Sequence, residues 1–184
     1  MKRHIAILAL MLSSCAHVAE PQGEAAAPQG GQASLDRLAD TLGYRFTIVD
    51  NNPDSCPGNA GGCFISEIAI TTPDRLPPNL AENLELRFSY VSRILATESD
   101  VFTSRLINGD LNALTLKPGA RLQPGTTYRV RLIGAGHFFS TAYPMPNAHL
   151  VVAGLDARTI AATRPVIDPE TGREELPFVT PMTD

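Results

Sequence analysis

From Tyr44 onward the chain's apolar side chains recur at every second position in short stretches, and that period restricts what the chain can become. Tyr44, Phe46 and Ile48 alternate with Arg45, Thr47 and Val49. Phe64, Ser66, Ile68 and Ile70 point one way, with Glu67 and Thr71 the other. Leu84, Leu86, Phe88 and Tyr90 alternate with Glu85, Arg87 and Ser89, and Tyr128, Val130 and Leu132 alternate with Arg129 and Arg131. Side chains alternate across a strand, so each run has one face for a core and one for water. Shorter runs at 102–107, 112–116 and 149–152 add strands, and Asn108-Gly109-Asp110 between two of them is a hairpin turn. Pro53, Pro57, Pro73, Pro77, Pro78, Pro118 and Pro124 fall between runs, where a missing N–H is tolerated. Helical spacing occurs once, in Leu35, Leu38, Ala39 and Leu42, with Ser34 as the expected N-cap and Gly43 as the stop. The expected fold is all-β, an antiparallel β-sandwich over 34–165 with one short N-terminal helix. The segment 166–184 reads as an extended, proline-rich tail.

The first fourteen residues do not belong to that fold. Lys2, Arg3 and His4 give a basic start and 5–12 an apolar run. Such a run is too short to cross a bilayer core of about 30 Å, so it reads as a signal to be removed. Leu12-Ser13-Ser14-Cys15 resembles a bacterial lipobox. The resemblance implies that Cys15 becomes the first mature residue and carries lipid; the alternative is an ordinary secretory signal. With Ala16 and not aspartate in second place, resemblance to the lipoprotein sorting rule points to the outer membrane. The expected location is therefore the bacterial cell envelope, with the membrane reached through a lipid anchor only. Residues 15–33 are mostly Ala, Gly, Gln, Pro and Glu and read as a flexible linker. A coil of that length spans about 23 Å on average and about 60 Å when stretched.

Of the three cysteines, a lipidated Cys15 leaves Cys56 and Cys63. An even count in an oxidising compartment implies a disulfide between them. Free thiols or half a zinc site are the alternatives, and zinc fits poorly because there is no second cysteine pair and the histidines are scattered. Removing Lys2 and Arg3 with the signal takes the formal net charge from -4 to -6. No basic patch stands out, so nucleic acid is not an expected partner.

No catalytic constellation emerges. His137 and His149 lie in no nucleophile-elbow or metal-binding motif and read as loop histidines. Asp50-Asn51-Asn52-Pro53-Asp54 lacks calcium-loop spacing and reads as a polar turn. Glu170 with Glu174 or Glu175 lies in a charged, solvated segment. No metal and no cofactor is expected. The stretch 134–147 is the most suggestive, because Phe138, Phe139 and Tyr143 cluster between glycines and prolines. Exposed rings stack against the apolar C–H face of a pyranose; the competing role is to plug one end of the sandwich.

The region from about Leu35 to Asp184 resembles the N-terminal carbohydrate-binding domain of bacterial chitobiases and β-N-acetylhexosaminidases. The pieces that carry the resemblance are Ile48-Val49-Asp50-Asn51, Phe64-Ile65-Ser66-Glu67-Ile68 and Ile107-Asn108-Gly109-Asp110-Leu111. Further along come Met145-Pro146-Asn147, the run from Gly154 to Pro165, and Asp168-Pro169-Glu170-Thr171-Gly172 running into Leu176-Pro177-Phe178-Val179. The resemblance implies a sandwich like that of bacterial cellulose-binding domains, and sugar binding by fold analogy. In that family a catalytic barrel with an adjacent Asp-Glu pair follows, whereas no Asp-Glu dipeptide occurs here. The family also tends to place tryptophan in the loop that holds Phe138 to Tyr143, and this chain has none. The resulting expectation is a lipid-anchored, non-catalytic module that binds glycans containing N-acetylglucosamine, such as chitin oligomers or peptidoglycan-type sugars. One alternative is an orphaned or truncated N-terminal domain of a hexosaminidase, with a separately encoded catalytic domain as its partner. The other is a structural or protein-interaction lipoprotein of the envelope.

Overall fold

The computed structural model describes residues 29–51, 53–54, 56–59, 61–137, 147–175 and 179–180. Its elements in chain order are α1 (Gln29–Thr41), β1 (Gly43–Asp50), β2 (Cys63–Thr71), α2 (Pro78–Asn83), β3 (Glu85–Ser89), β4 (Ile94–Glu98) and β5 (Phe102–Asn108). These are followed by β6 (Leu111–Leu116), β7 (Thr127–Ala135), β8 (His149–Val151), β9 (Arg158–Thr159), β10 (Val166–Ile167), β11 (Glu174–Glu175) and β12 (Val179–Thr180). Two five-stranded sheets face each other, ordered β12-β1-β2-β7-β4 and β5-β6-β3-β8-β9, and β10 and β11 pair separately. The architecture is the expected all-β sandwich. All pairings are antiparallel except β12, which adds parallel to β1 with Phe46 opposite Val179.

The alternation in the sequence becomes the core. Phe46, Ile48, Phe64, Ile68, Ile70, Val130 and Leu132 point inward from the first sheet, and Leu86, Phe88, Phe102, Leu114 and Leu150 meet them from the second. Each fully buried side chain of this size contributes about 1.5–3 kcal/mol. The outward faces carry paired charges: Arg129 bridges to Glu67 across β7 and β2, and Arg131 to Glu98 at 3.5 Å across β7 and β4. Tyr44 is enclosed, and burial pushes its phenol far above the usual range.

Besides the short second helix α2, which begins at Pro78 where only a break between strands was expected, two features, one in α1 and one in the tail, differ from the sequence expectation. The helix starts at Gln29, not after a cap at Ser34. Side-chain bonds carry the extra turn, one within the helix and one tertiary: Gln32 Nε2 donates to Asp36 Oδ1 at 2.9 Å, and the Asp156 backbone N–H donates to Gln32 Oε1 at 2.9 Å. Asp36 also accepts from Arg158 Nε at 2.6 Å. The Gln32 hydrogen bond, assisted by Arg158, holds the Asp36 carboxyl below its ordinary range despite an opposing desolvation effect. Leu35, Leu38 and Leu42 then bury one helical face on the core. The second difference is that part of the segment read as an extended tail pairs with other strands. Asp168 to Gly172 turns between β10 and β11, with the Glu170 N–H bonded to Asp168 Oδ1 at 2.8 Å, and β12 joins the first sheet.

Candidate functional site

The strand directions gather specific loops at one end of the sandwich. β1 finishes there at Asp50, β2 begins at Cys63, β7 finishes at Ala135 and β4 begins at Ile94. In the second sheet the β5–β6 hairpin turns at the same end, opposite the close of β3. The loop from β7 to β8, which holds the suggested platform, is rooted there by Gly136 and Asn147. Gly136 N–H donates to Gly62 O at 2.9 Å, and Asn147 N–H donates to Thr163 O at 3.0 Å. Phe138, Phe139 and Tyr143 themselves lie outside the described residues, as does Cys15.

Three constraints hold this end in shape. First, Cys56 and Cys63 form a disulfide with their Cα atoms 5.7 Å apart. It closes the glycine-rich loop 57–62 onto the first residue of β2. Second, His137 lies against that loop. A Cβ on Gly62 would stand 2.6 Å from His137 Nε2, so any side chain there would displace the imidazole. Third, Tyr90 turns inward below the loops. Its hydroxyl shares a 2.9 Å hydrogen bond with Ser66 Oγ, and its ring centroid is 5.9 Å from Phe64 and 6.2 Å from Phe88. Ser66 is fully buried, so this bond satisfies a polar group that would otherwise destabilise the core.

Beside Tyr90 a groove of about 420 Å³ opens where the edge strands β4 and β5 meet. Farther along that edge the sheets are closed by a hydroxyl bond between Thr97 and Ser104. The groove is amphipathic. Val91, Ile94 and Leu106 supply apolar surface, and Arg93, Arg105 and Asn112 supply donors. Val91 and Leu106 are 62 % and 63 % exposed, which is unusual for aliphatic side chains flanking one cleft. Arg105 Nη2 donates to Glu85 Oε2 at 2.6 Å, and Arg87 pairs with the other oxygen of the same carboxylate. Partial burial alone would raise the Glu85 carboxyl; the two arginines outweigh it and hold the group below its ordinary range. The sequence reading missed this groove. Its signal was the end of the period-two pattern at Tyr90, followed by the apolar and basic residues Val91, Arg93 and Ile94.

The remaining sequence candidates are distributed elsewhere. His149 sits on β8 with its Nδ1 3.1 Å from Thr159 Oγ1, a bond between neighbouring strands. His137 is exposed, and Glu170 lies in the β10–β11 turn. Among the described residues no group of three or more His, Cys, Asp or Glu is placed to hold a metal ion. Six of the described aromatic side chains, Tyr44, Phe46, Phe64, Phe88, Tyr90 and Phe102, are buried. The seventh, Tyr128, is half-buried with its hydroxyl accepting the Gln123 N–H at 2.6 Å. Neither outer sheet face therefore presents a flat aromatic platform among the described residues.

Paired sheets with a braced loop end and an edge groove define a β-sandwich domain. Residues 41–184 match the family described as "Putative carbohydrate binding domain", and the chain belongs to that family. It is 30% identical over 138 residues to a beta-hexosaminidase of Vibrio vulnificus, an alignment covering 73% of this chain and 16% of that protein. It is 29% identical over 89 residues to beta-hexosaminidase B of Pseudoalteromonas piscicida, covering 48% of this chain and 11% of that protein. Among solved structures it is similar to the GH20 exo beta-N-acetylglucosaminidase from Vibrio harveyi in complex with N-acetylglucosamine. That similarity has a TM-score of 0.45 and 13% identity, over 64% of this chain and 17% of that chain. The chain thus spans less than a fifth of the length of each of these relatives.

Proposed function

We propose that this protein is a lipid-anchored, non-catalytic module that binds glycans containing N-acetylglucosamine at the disulfide-braced end of its sandwich. Membership of the carbohydrate-binding family carries the reading. The accounting of rings supports the location. Every described aromatic side chain is wholly or partly packed into the fold, so the reading rests on the sequence cluster Phe138, Phe139 and Tyr143. All three belong to the loop rooted beside the groove. Stacking one ring contributes about 1 kcal/mol beyond area burial. A few such contacts, less the entropy of ordering a sugar, give an affinity of about 0.1–1 mM. The Phe138→Ala, Tyr143→Ala double variant is expected to melt like the wild type and to lose binding of chitin oligomers in ligand-observed NMR. Retained binding by a folded double variant would remove the platform.

The names of the relatives favour a second role for the same site: holding a hexosaminidase near its substrate, on the same polypeptide or a separate one. Anchoring is tested independently. Cells fed a labelled fatty acid are expected to label the wild type and not Cys15→Ala, which stays unprocessed or leaves the membrane fraction. An unlabelled wild type would reduce the N-terminus to an ordinary secretory signal.

A further inference from the structure

We infer that the groove between β4 and β5 selects glycans that carry a carboxylate, read by Arg93. The inference rests on the glycan-binding reading and adds the charge of the ligand. The protein is acidic overall, with a formal net charge of -4. Most of its described arginines are spent on carboxylates: Arg87 and Arg105 on Glu85, Arg121 on Glu82, Arg129 on Glu67, Arg131 on Glu98, and Arg158 and Arg164 on aspartates next to or in α1. Arg93 is different. It is exposed at the groove, and among the described residues no carboxylate oxygen lies within ion-pair distance of it. The opposite wall adds to the same sign. Arg87, Glu85 and Arg105 share one negative and two positive charges, so this triad keeps a net positive charge beside the cleft. The nearby Asp110 carboxylate is turned to the Ser89 hydroxyl.

The apolar residues fit the rest of such a ligand. Val91 and Leu106 offer aliphatic surface to the C–H face of a sugar ring or to an acetamido methyl. Arg93 offers a planar fork of N–H donors that matches a carboxylate in two-point geometry, which a lysine does not. A sugar with an ether-linked or ring carboxylate satisfies all three features, and a neutral chitin unit leaves the arginine unanswered. Exposed pairs of this kind change affinity by about two- to fivefold, and the gain falls as salt screens the charges.

The test compares two ligands that differ only in an O3-linked lactyl ether, which carries the carboxylate. These are N,N′-diacetylchitobiose and the β-1,4-linked disaccharide of N-acetylglucosamine with N-acetylmuramic acid. Both are titrated by ligand-observed NMR into wild type, Arg93→Gln and Arg45→Gln, a control on the outer face of β1, at low and high salt. The inference expects the acidic disaccharide to bind about two- to fivefold more tightly to the wild type and to Arg45→Gln at low salt. It expects that preference to vanish in Arg93→Gln, which then binds the two disaccharides about equally. Equal affinity of the two ligands for the wild type overturns the carboxylate assignment and leaves glycan binding standing. Loss of both ligands in a folded Arg93→Gln protein also overturns it, because Arg93 would then shape the groove without reading charge. Failure of the wild type to bind either ligand overturns this inference and the glycan-binding reading together.

Discussion

Gly134→Val is expected to melt about 5–10 °C below the wild type, from a loss of about 2–3 kcal/mol. Gly134 lies in β7, between Phe64 on β2 and Ile94 on β4. A Cβ at that position would stand 2.5 Å from Phe64 Cζ and 2.9 Å from the Tyr90 hydroxyl oxygen. Neither neighbour can swing away. Phe64 is fully buried and Tyr90 nearly so, with the Tyr90 hydroxyl bound to Ser66. A β-branched side chain normally favours a strand, so propensity alone predicts the opposite sign. Overpacking wins because interiors are close-packed and the obstructing atoms are themselves held. Gly61→Ala serves as the control: no atom of the described residues lies within 4 Å of its added Cβ, and its melting point should match the wild type. The cost of Gly134→Val should shrink in a Phe64→Leu background, since the pair is coupled through one contact. A Gly134→Val protein that melts with the wild type would show that Phe64 and Tyr90 do not pack as described.

Loss of the disulfide is expected to have an effect of similar size. Cys56 and Cys63 are seven positions apart, and closing so short a ring contributes about 2.5 kcal/mol in the chain-entropy model. Cys56→Ser with Cys63→Ala should therefore lower the melting temperature by about 5–10 °C. The loss should also reach function. The same bridge holds Gly62 against His137 and Gly136, where the loop that follows β7 takes root. Weaker glycan binding is expected to accompany the lower melting point. The measurements are thermal melts with and without reductant, and an intact mass two hydrogens below the reduced form. Full alkylation of both thiols in the folded, unreduced protein, with an unchanged melt, would contradict the account.

The strands were legible because each has one wet face. Phe46 and Ile48, Leu86 and Phe88, and Val130 and Leu132 mark inward positions at period two, and the structure buries all of them. The Asn108-Gly109-Asp110 turn followed from turn chemistry alone. β4 was not legible. Its residues, Ile94 to Glu98, are half-buried or exposed throughout, so an edge strand with no fully buried side reads as loop. The first turn of α1 was hidden for another reason. Gln29-Gly30-Gly31 has poor helix propensity, and the bonds between Gln32 and Asp156 that support it join residues 124 positions apart in sequence. The groove was hidden in the same way: Val91 and Arg93 are separated in sequence from Arg105, Leu106 and Asn112, and meet them only where packing of the two sheets brings the edge strands β4 and β5 together. Phe138, Phe139 and Tyr143 stood out because several rings in a glycine- and proline-bounded loop have no strand period to account for them.

Mapping amide chemical shifts during titration with N,N′,N″-triacetylchitotriose tests the central claim most directly. Glycan binding at the braced end predicts saturable shifts at Val91 to Ile94, Asn108 to Asp110 and Gly136 to His137. It predicts none at Asp74 to Leu76 or Gly119, at the opposite end of the sandwich. Saturation is expected at millimolar ligand, in line with an affinity of about 0.1–1 mM. A spectrum unmoved at several times that concentration, or shifts confined to the opposite end, would contradict it.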